Sequence, residues 1–228
     1  MSNSLTRTQF ETELDELRNT LLEMGAIVDR MVANAVQALG TGDTALAERV
    51  IFDDDAVDEL DLQVESDCMR LLALQQPMAR DLRLIGTVFK VITDLERIGD
   101  HAVDIAKVAR KFARVGFSKV LVDIPRLSES ARGMLRHALE AFVRHDLPLV
   151  GKVVEADDEV DKLFHQFRDD IHEAMKKDSE LVVEASYLLF VCHYLERIAD
   201  HAVNIAERVH YVETGELAQL AKSHKTHS

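Results

Sequence analysis

The chain has 228 residues, with 27 Lys and Arg against 41 Asp and Glu, a formal net charge of −14, only 3 Pro and no Trp. A content of 47% hydrophobic and 30% charged residues excludes a disordered chain and supplies ample material for a core. The acidic excess repels nucleic-acid backbones and anionic headgroups, whose binding depends on Lys and Arg displacing counterions, so no nucleic-acid partner is expected. No Gly-rich phosphate loop is present.

Cys68 and Cys192 stand alone, without a C-x-x-C pattern, and read as packed, reduced thiols. The segment Met1 to Arg7 lacks the apolar stretch of a secretory signal. The longest apolar run, Tyr187 to Cys192, falls far short of the ~18 residues of a membrane span. A cytoplasmic location is expected.

Helix breaks are few and placed at intervals. Gly40 and Gly42 followed by Asp43 read as a helix stop and an N-cap. Pro77 marks the next break, because its ring removes a donor and clashes with the preceding turn. Gly116 and Pro125 bracket a connection, Asp146 and Pro148 read as a cap with proline in the first turn, and Lys176 to Ser179 is the last polar corner. Six helices of roughly 25–35 residues follow, each about 40–50 Å long. In the third segment Leu84, Val88, Val91, Leu95, Ile98, Ala102, Ile105, Ala109 and Phe112 keep a 4-3 spacing; in the sixth, Leu188, Val191, Leu195, Ile198, Ala202, Ile205, Val209 and Val212 do the same. No segment sustains period-2 alternation, so the predicted class is all-α.

The chain also repeats itself. Leu95 to Ala106 recurs as Leu195 to Ala206 with ten of twelve positions identical, at an offset of 100. Upstream, Asp43, Leu46, Val50, Asp54, Asp58 and Leu60 match Asp146, Leu149, Val153, Asp157, Asp161 and Leu163 at an offset of 103, which places the three-residue difference near Pro77. Two pseudo-symmetric antiparallel three-helix bundles are predicted, one over residues 1–116 and one over 117–214, with a polar tail at 215–228 expected to be disordered.

Carboxylates recur four residues apart: Asp54/Asp58, Glu96/Asp100/Asp104, Asp157/Asp161 and Glu196/Asp200, with Asn204 in the third place of the last set. Residues four apart share a helix face. With Leu95 at position a, Glu96, Asp100 and Asp104 take b, f and c, pointing away from the seam. The default reading of such a stripe is a solvated face, with Arg97 and Arg197 offsetting part of the charge. Against it stands the retention of acids in both copies, although only ten of twenty-six positions match between 35–60 and 138–163. Clustered carboxylate oxygens suit cations such as Mg²⁺, Mn²⁺, iron or zinc, so Asp54, Asp58, Glu96, Asp100, Asp104, Asp157, Asp161, Glu196, Asp200 and Asn204 are the candidate metal ligands. His101 and His201 fall beside the seam, where hydrogen bonding to a neighbouring helix is the simplest role. His224 and His227 lie in the polar tail. A di-iron carboxylate bundle needs paired Glu-x-x-His motifs; only Glu207 to His210 fits, and its counterpart is Lys107 to Arg110. No catalytic residues are assigned and no enzyme is expected.

The runs Asp94 to Val103, Tyr194 to Ala206 and Leu72 to Arg83 resemble the PhoU family of bacterial phosphate-uptake regulators, and the likeness spans roughly residues 8–213. The resemblance implies a non-catalytic accessory of the phosphate ABC transporter that keeps phosphate-starvation signalling off. The implied partners are the transporter's ATPase subunit and the sensor histidine kinase at the inner membrane, with a homodimer as the expected assembly. It also implies metal clusters on the E(D)-x-x-x-D motifs, with Asn204 departing from the symmetric pattern. The competing readings are a carboxylate-bundle metalloenzyme and a purely structural helical scaffold.

Overall fold

A computed structural model describes residues 7–74, 77–113 and 123–221, with side chains described from residue 9 onward. The helices are α1 (Arg7–Thr41), α2 (Thr44–Leu74), α3 (Ala79–Phe112), α4 (Ile124–Arg144), α5 (Leu147–Lys177) and α6 (Val182–Thr214), with a 3-10 turn at Ser179–Leu181. Among the described residues there is no strand, and no helix is long and apolar enough to cross a membrane.

The breaks fall where local chemistry puts them. Asp43 Oδ1 accepts from the Leu46 N–H at 3.0 Å, and Asp146 Oδ1 accepts from the Leu149 N–H at 3.1 Å. Pro125 lies in the first turn of α4, whose cap, Asp123, accepts from the Arg126 N–H at 3.1 Å. With 21 residues α4 is shorter than expected. It ends on His145 in the left-handed conformation at φ 56°, held by a 2.7 Å contact from Nδ1 to Glu213 Oε1. Four residues separate Leu74 from Ala79, whereas Asp178 alone separates Lys177 from Ser179. That difference of three accounts for the change in repeat offset. The predicted boundary between the halves lies outside the described residues.

Every predicted seam residue of α3 and α6 is buried. In α1, Phe10, Leu14, Leu17, Leu21, Met24, Val28, Met31, Ala35 and Ala38 keep the same 4-3 spacing and are buried too. Helices α1, α2 and α3 pack mutually; α4 packs on α5, and both pack on α6. The two units meet through α3 on α6 and α1 on α4. Helices α3 and α6 run antiparallel: the Phe112 and Tyr187 rings meet edge to face at 5.0 Å near one end, and Arg80 reaches Glu213 at 3.4 Å near the other.

Two features differ from expectation. Residues 215–221 return to the bundle instead of fraying: the Leu220 N–H donates to Glu207 Oε1 at 2.6 Å, and Leu220 and Ala221 pack against the core. Residues 222–228, with His224 and His227, lie outside the described residues. The acids do not all point into solvent either. Helix α3 packs against α1, α2 and α6, so most of its circumference is covered rather than a single a/d seam.

Across the α1–α4 contact, Arg132 forms a bidentate pair with Asp29, at 2.8 Å from Nε to Oδ1 and 2.8 Å from Nη2 to Oδ2, with both side chains 20% exposed. Arg132→Ala leaves the partly buried Asp29 with only the longer contact from Arg136, at 3.4 Å. The expected loss is about 1–3 kcal/mol of unfolding free energy, measured by urea denaturation. Arg132→Lys, which keeps the charge but not the fork, should recover only part of it.

Candidate functional site

In the first unit two acidic edges face each other. Helix α2 buries Val50, Val57, Val64, Cys68 and Leu71, which leaves Asp54, Asp58 and Asp61 along the margin next to α3. Gly99 is buried under α2: a Cβ built there would stand 3.4 Å from Asp54 Oδ1 and 3.6 Å from Val57 Cγ1. The Asp54 carboxyl lies against α3, where burial, followed by repulsion from Asp58 and Asp100, pushes its pKa up to about 6. Glu96 is raised by burial and then by Asp100, against the opposing pull of Arg97, with Asp61 and Asp58 adding to the rise. Asp61 is raised by burial, Glu65 and Asp58. Asp58, Asp61, Leu62, Thr93 and Glu96 line a cavity of about 300 Å³. Five carboxylates from two helices, Asp54, Asp58, Asp61, Glu96 and Asp100, therefore share one field. Arg97 lies across it, with Nε 3.3 Å from Glu96 Oε2 and Nη1 3.0 Å from Asp100 Oδ2.

Asp61 was not among the sequence candidates. Its spacing of three from Asp58 and seven from Asp54 places it on the same face. The repeat concealed it, because its counterpart in the second unit is Phe164.

The second unit repeats the arrangement with α5 and α6. Asp157 and Asp161 are half-buried, and Glu196 is only 9% exposed. Arg197 Nη1 lies 2.6 Å from Asp200 Oδ2, and His193 Nδ1 lies 3.1 Å from Glu196 Oε2.

The third position of each α3/α6 motif belongs elsewhere. Asn204 Nδ2 donates to Asp94 Oδ1 at 3.1 Å, and His201 Nδ1 meets the same oxygen at 2.9 Å, both across the junction between the units. Asp104 is paired with Lys107 at 3.0 Å and stands near Tyr194, whose pKa is raised by burial and then by the Asp104 charge. Both residues thus turn toward the opposite unit. His101, the repeat partner of His201, stacks on Tyr194 at 5.6 Å and lies 5.8 Å from the His201 ring. Burial, then His201 and Arg197, push the His101 pKa down to about 4, so it is neutral at physiological pH. The pairing expected at the helix margin holds for His201, while His101 Nδ1 has no hydrogen-bond partner.

The donor set of each face, carboxylate oxygens held close against mutual repulsion, suits a cation. Among the described residues, however, no three His, Cys, Asp or Glu side chains converge on one point as they stand. Filling a face therefore requires side chains to turn inward, and Arg97 and Arg197 to release Asp100 and Asp200. Cys68 and Cys192 are buried thiols pushed up to about 12 by burial and play no part.

The PhoU domain model matches this chain twice, over residues 21–109 and 124–209. The chain belongs to the PhoU family. The two matches cover the two three-helix units. The Clostridium acetobutylicum phosphate-specific transport system accessory protein PhoU homolog is 36% identical over 217 residues, 95% of this chain and 99% of that protein. Its Aquifex aeolicus namesake is 38% identical over 91% of this chain and 94% of its own length. The crystal structure of PhoU from Pseudomonas aeruginosa has a TM-score of 0.88 at 36% identity, covering 91% of this chain and all of that one. The phosphate transport system regulatory protein PhoU from Streptococcus pneumoniae has a TM-score of 0.85 at 32% identity, covering 92% and 99%. The PhoU architecture of six helices in two bundles is thus shared along nearly the whole chain.

The raised pKa of Asp54 gives a signed prediction for the metal-free protein. The folded state holds the Asp54 proton more tightly than the unfolded chain, so this contribution to stability is complete below about pH 4 and is lost as pH rises through about 6. Asp54→Asn should flatten the fall in unfolding free energy between those limits and be the more stable protein above pH 6. Urea midpoints across that range, with the Asp54 carboxyl titration followed by NMR, measure it; parallel curves for the two proteins would contradict the assignment.

Proposed function

We propose that the protein is a non-catalytic negative regulator of phosphate uptake and phosphate-starvation signalling. It would act at the cytoplasmic side of the inner membrane, between the ATPase subunit of a phosphate ABC transporter and a sensor histidine kinase. The observation that carries this reading is the end-to-end match to relatives named phosphate-specific transport system accessory proteins, with both repeat units present.

The acidic faces supply the means. Each is an edge between two helices of one unit, and the two edges occupy the same place in each repeat. A divalent cation, iron, zinc, manganese or magnesium, held by Asp54, Asp58, Glu96 and Asp100, or by Asp157, Asp161, Glu196 and Asp200, would neutralise mutually repelling carboxylates and present a fixed surface to a partner. With a net charge of −14, inorganic phosphate would approach such a face only through the bound cation.

Deletion of the gene tests the regulatory role: in high phosphate, starvation-gene expression and phosphate uptake should rise. Continued repression of both would refute it. The metal reading is tested by Glu96→Ala with Asp100→Ala in the purified protein. Bound metal should fall by mass spectrometry, while helicity persists and the metal-free fold is no less stable to urea, because two mutually repelling, partly buried carboxylates are gone. Unchanged metal content would remove the first face from the site.

A further inference from the structure

Helix α2 carries two opposed rows of side chains, and the fold uses only one. Val50, Val57, Val64 and Leu71 are buried, and α2 packs on α1 and α3 alone among the described helices. On the other side, positions 52, 55, 59, 62, 66, 69 and 73 follow the 3-4 spacing of a helix-packing seam, and all seven are exposed. Three of them hold large apolar side chains: Phe52 is 72% exposed, Leu62 65% and Met69 57%. Ala73 ends the row.

The duplication supplies an internal control. At the offset of 103, Phe52, Leu62, Met69 and Ala73 correspond to Glu155, His165, His172 and Lys176 on α5. The same row is therefore polar on α5, and the fold itself has no need of apolar side chains there. Large apolar groups repeated along one exposed helix face mark a contact surface. Charge decides what that contact is. Helix α2 holds nine Asp and Glu against two Arg, so half of the formal charge of −14 sits on one helix. Asp55 and Glu59 stand in the row itself, and the exposed Asp58 and Glu65 lie four and three residues from Leu62. A second copy of this chain would bring an equally acidic face, and an anionic lipid surface would be repelled as well.

We propose that the outward row of α2 docks a basic amphipathic helix of a partner protein. Its apolar side chains, at matching 3-4 spacing, meet Phe52, Leu62, Met69 and Ala73, and its Lys and Arg meet Asp55, Glu59 and Glu65. The row spans about 32 Å, the length of a partner helix of about 21 residues. The contact deepens the regulatory reading above, because a regulator that catalyses no reaction acts by contact.

The test uses the full chain and a synthetic peptide of that length, with leucine at 3-4 spacing and lysine on the flanking positions. Fluorescence anisotropy should show saturable binding, and circular dichroism of the mixture should show the peptide gaining helix. Phe52→Gln combined with Leu62→Gln and Met69→Gln, all at exposed positions, should weaken binding by about tenfold or more. A peptide of the same composition whose leucines do not share a face should bind the unmodified protein more weakly by a similar factor, a comparison that needs no variant to fold. Equal binding by the triple variant, or by the rearranged peptide, overturns the inference, since charge alone would then suffice. So does a dimer in sedimentation that the triple variant converts to monomer, because a second copy would then occupy the row. Peptide binding reads only this surface and gene deletion reads only the regulatory role, so either can fail while the other stands.

Discussion

The packing of α3 on α6 is the contact on which the rest of the structure depends. Like α1, these two helices carry unbroken 4-3 seams, and each is covered by three others: α3 by α1, α2 and α6, and α6 by α3, α4 and α5. A helix covered on three sides has little solvated circumference left for its polar residues. On α3, Glu96 and Asp100 sit at the margin beside α2, and on α6, Glu196 and Asp200 sit at the margin beside α5. The candidate faces are consequences of burying α3 and α6 at the centre.

That position explains the electrostatics. An exposed pair of like charges four residues apart on a helix costs only about 0.2–0.5 kcal/mol. The same carboxylates moved to the edge of a helix contact lose part of their hydration, and the field of each reaches the others through protein rather than water. Asp54 shows the combined effect most clearly, with burial and the charges of Asp58 and Asp100 acting together. Arg97 and Arg197 offset part of the repulsion, but each reaches only the edge of its cluster. A cation placed among the carboxylates would act on all of them together.

The duplication preserved the frame and let the details diverge. At the junction between the units, Asp94 accepts from Asn204 and contacts His201, whereas the repeat-related Tyr194 stacks on His101. One side of the pseudo-twofold is polar and the other aromatic. The same divergence replaced Asp61, Leu62 and Thr93 with Phe164, His165 and His193. Apolar seams tolerate few changes because volume and shape are constrained on all sides; the helix margins tolerate many, and there the two halves became different.

The sequence by itself determined the helices, their breaks and the two-unit organisation. Each of these rests on short-range rules: a 4-3 apolar spacing, an Asp that caps the next turn, a proline that cannot donate, and a motif that recurs. It also placed Asp54 with Asp58, and Glu96 with Asp100, on shared helix faces. Only the tertiary structure decided which acids face one another and how deeply they are buried. Asp104 and Asn204 share a helical stripe with Asp100 and Asp200, yet they turn toward the opposite unit, because residues at four-residue steps drift around a helix of 3.6 residues per turn, past the edge of a single neighbouring helix. Asp61 joins the first cluster without an acidic counterpart in the repeat. Both outcomes depend on which helix lies alongside which, and spacing along one helix carries no information about that.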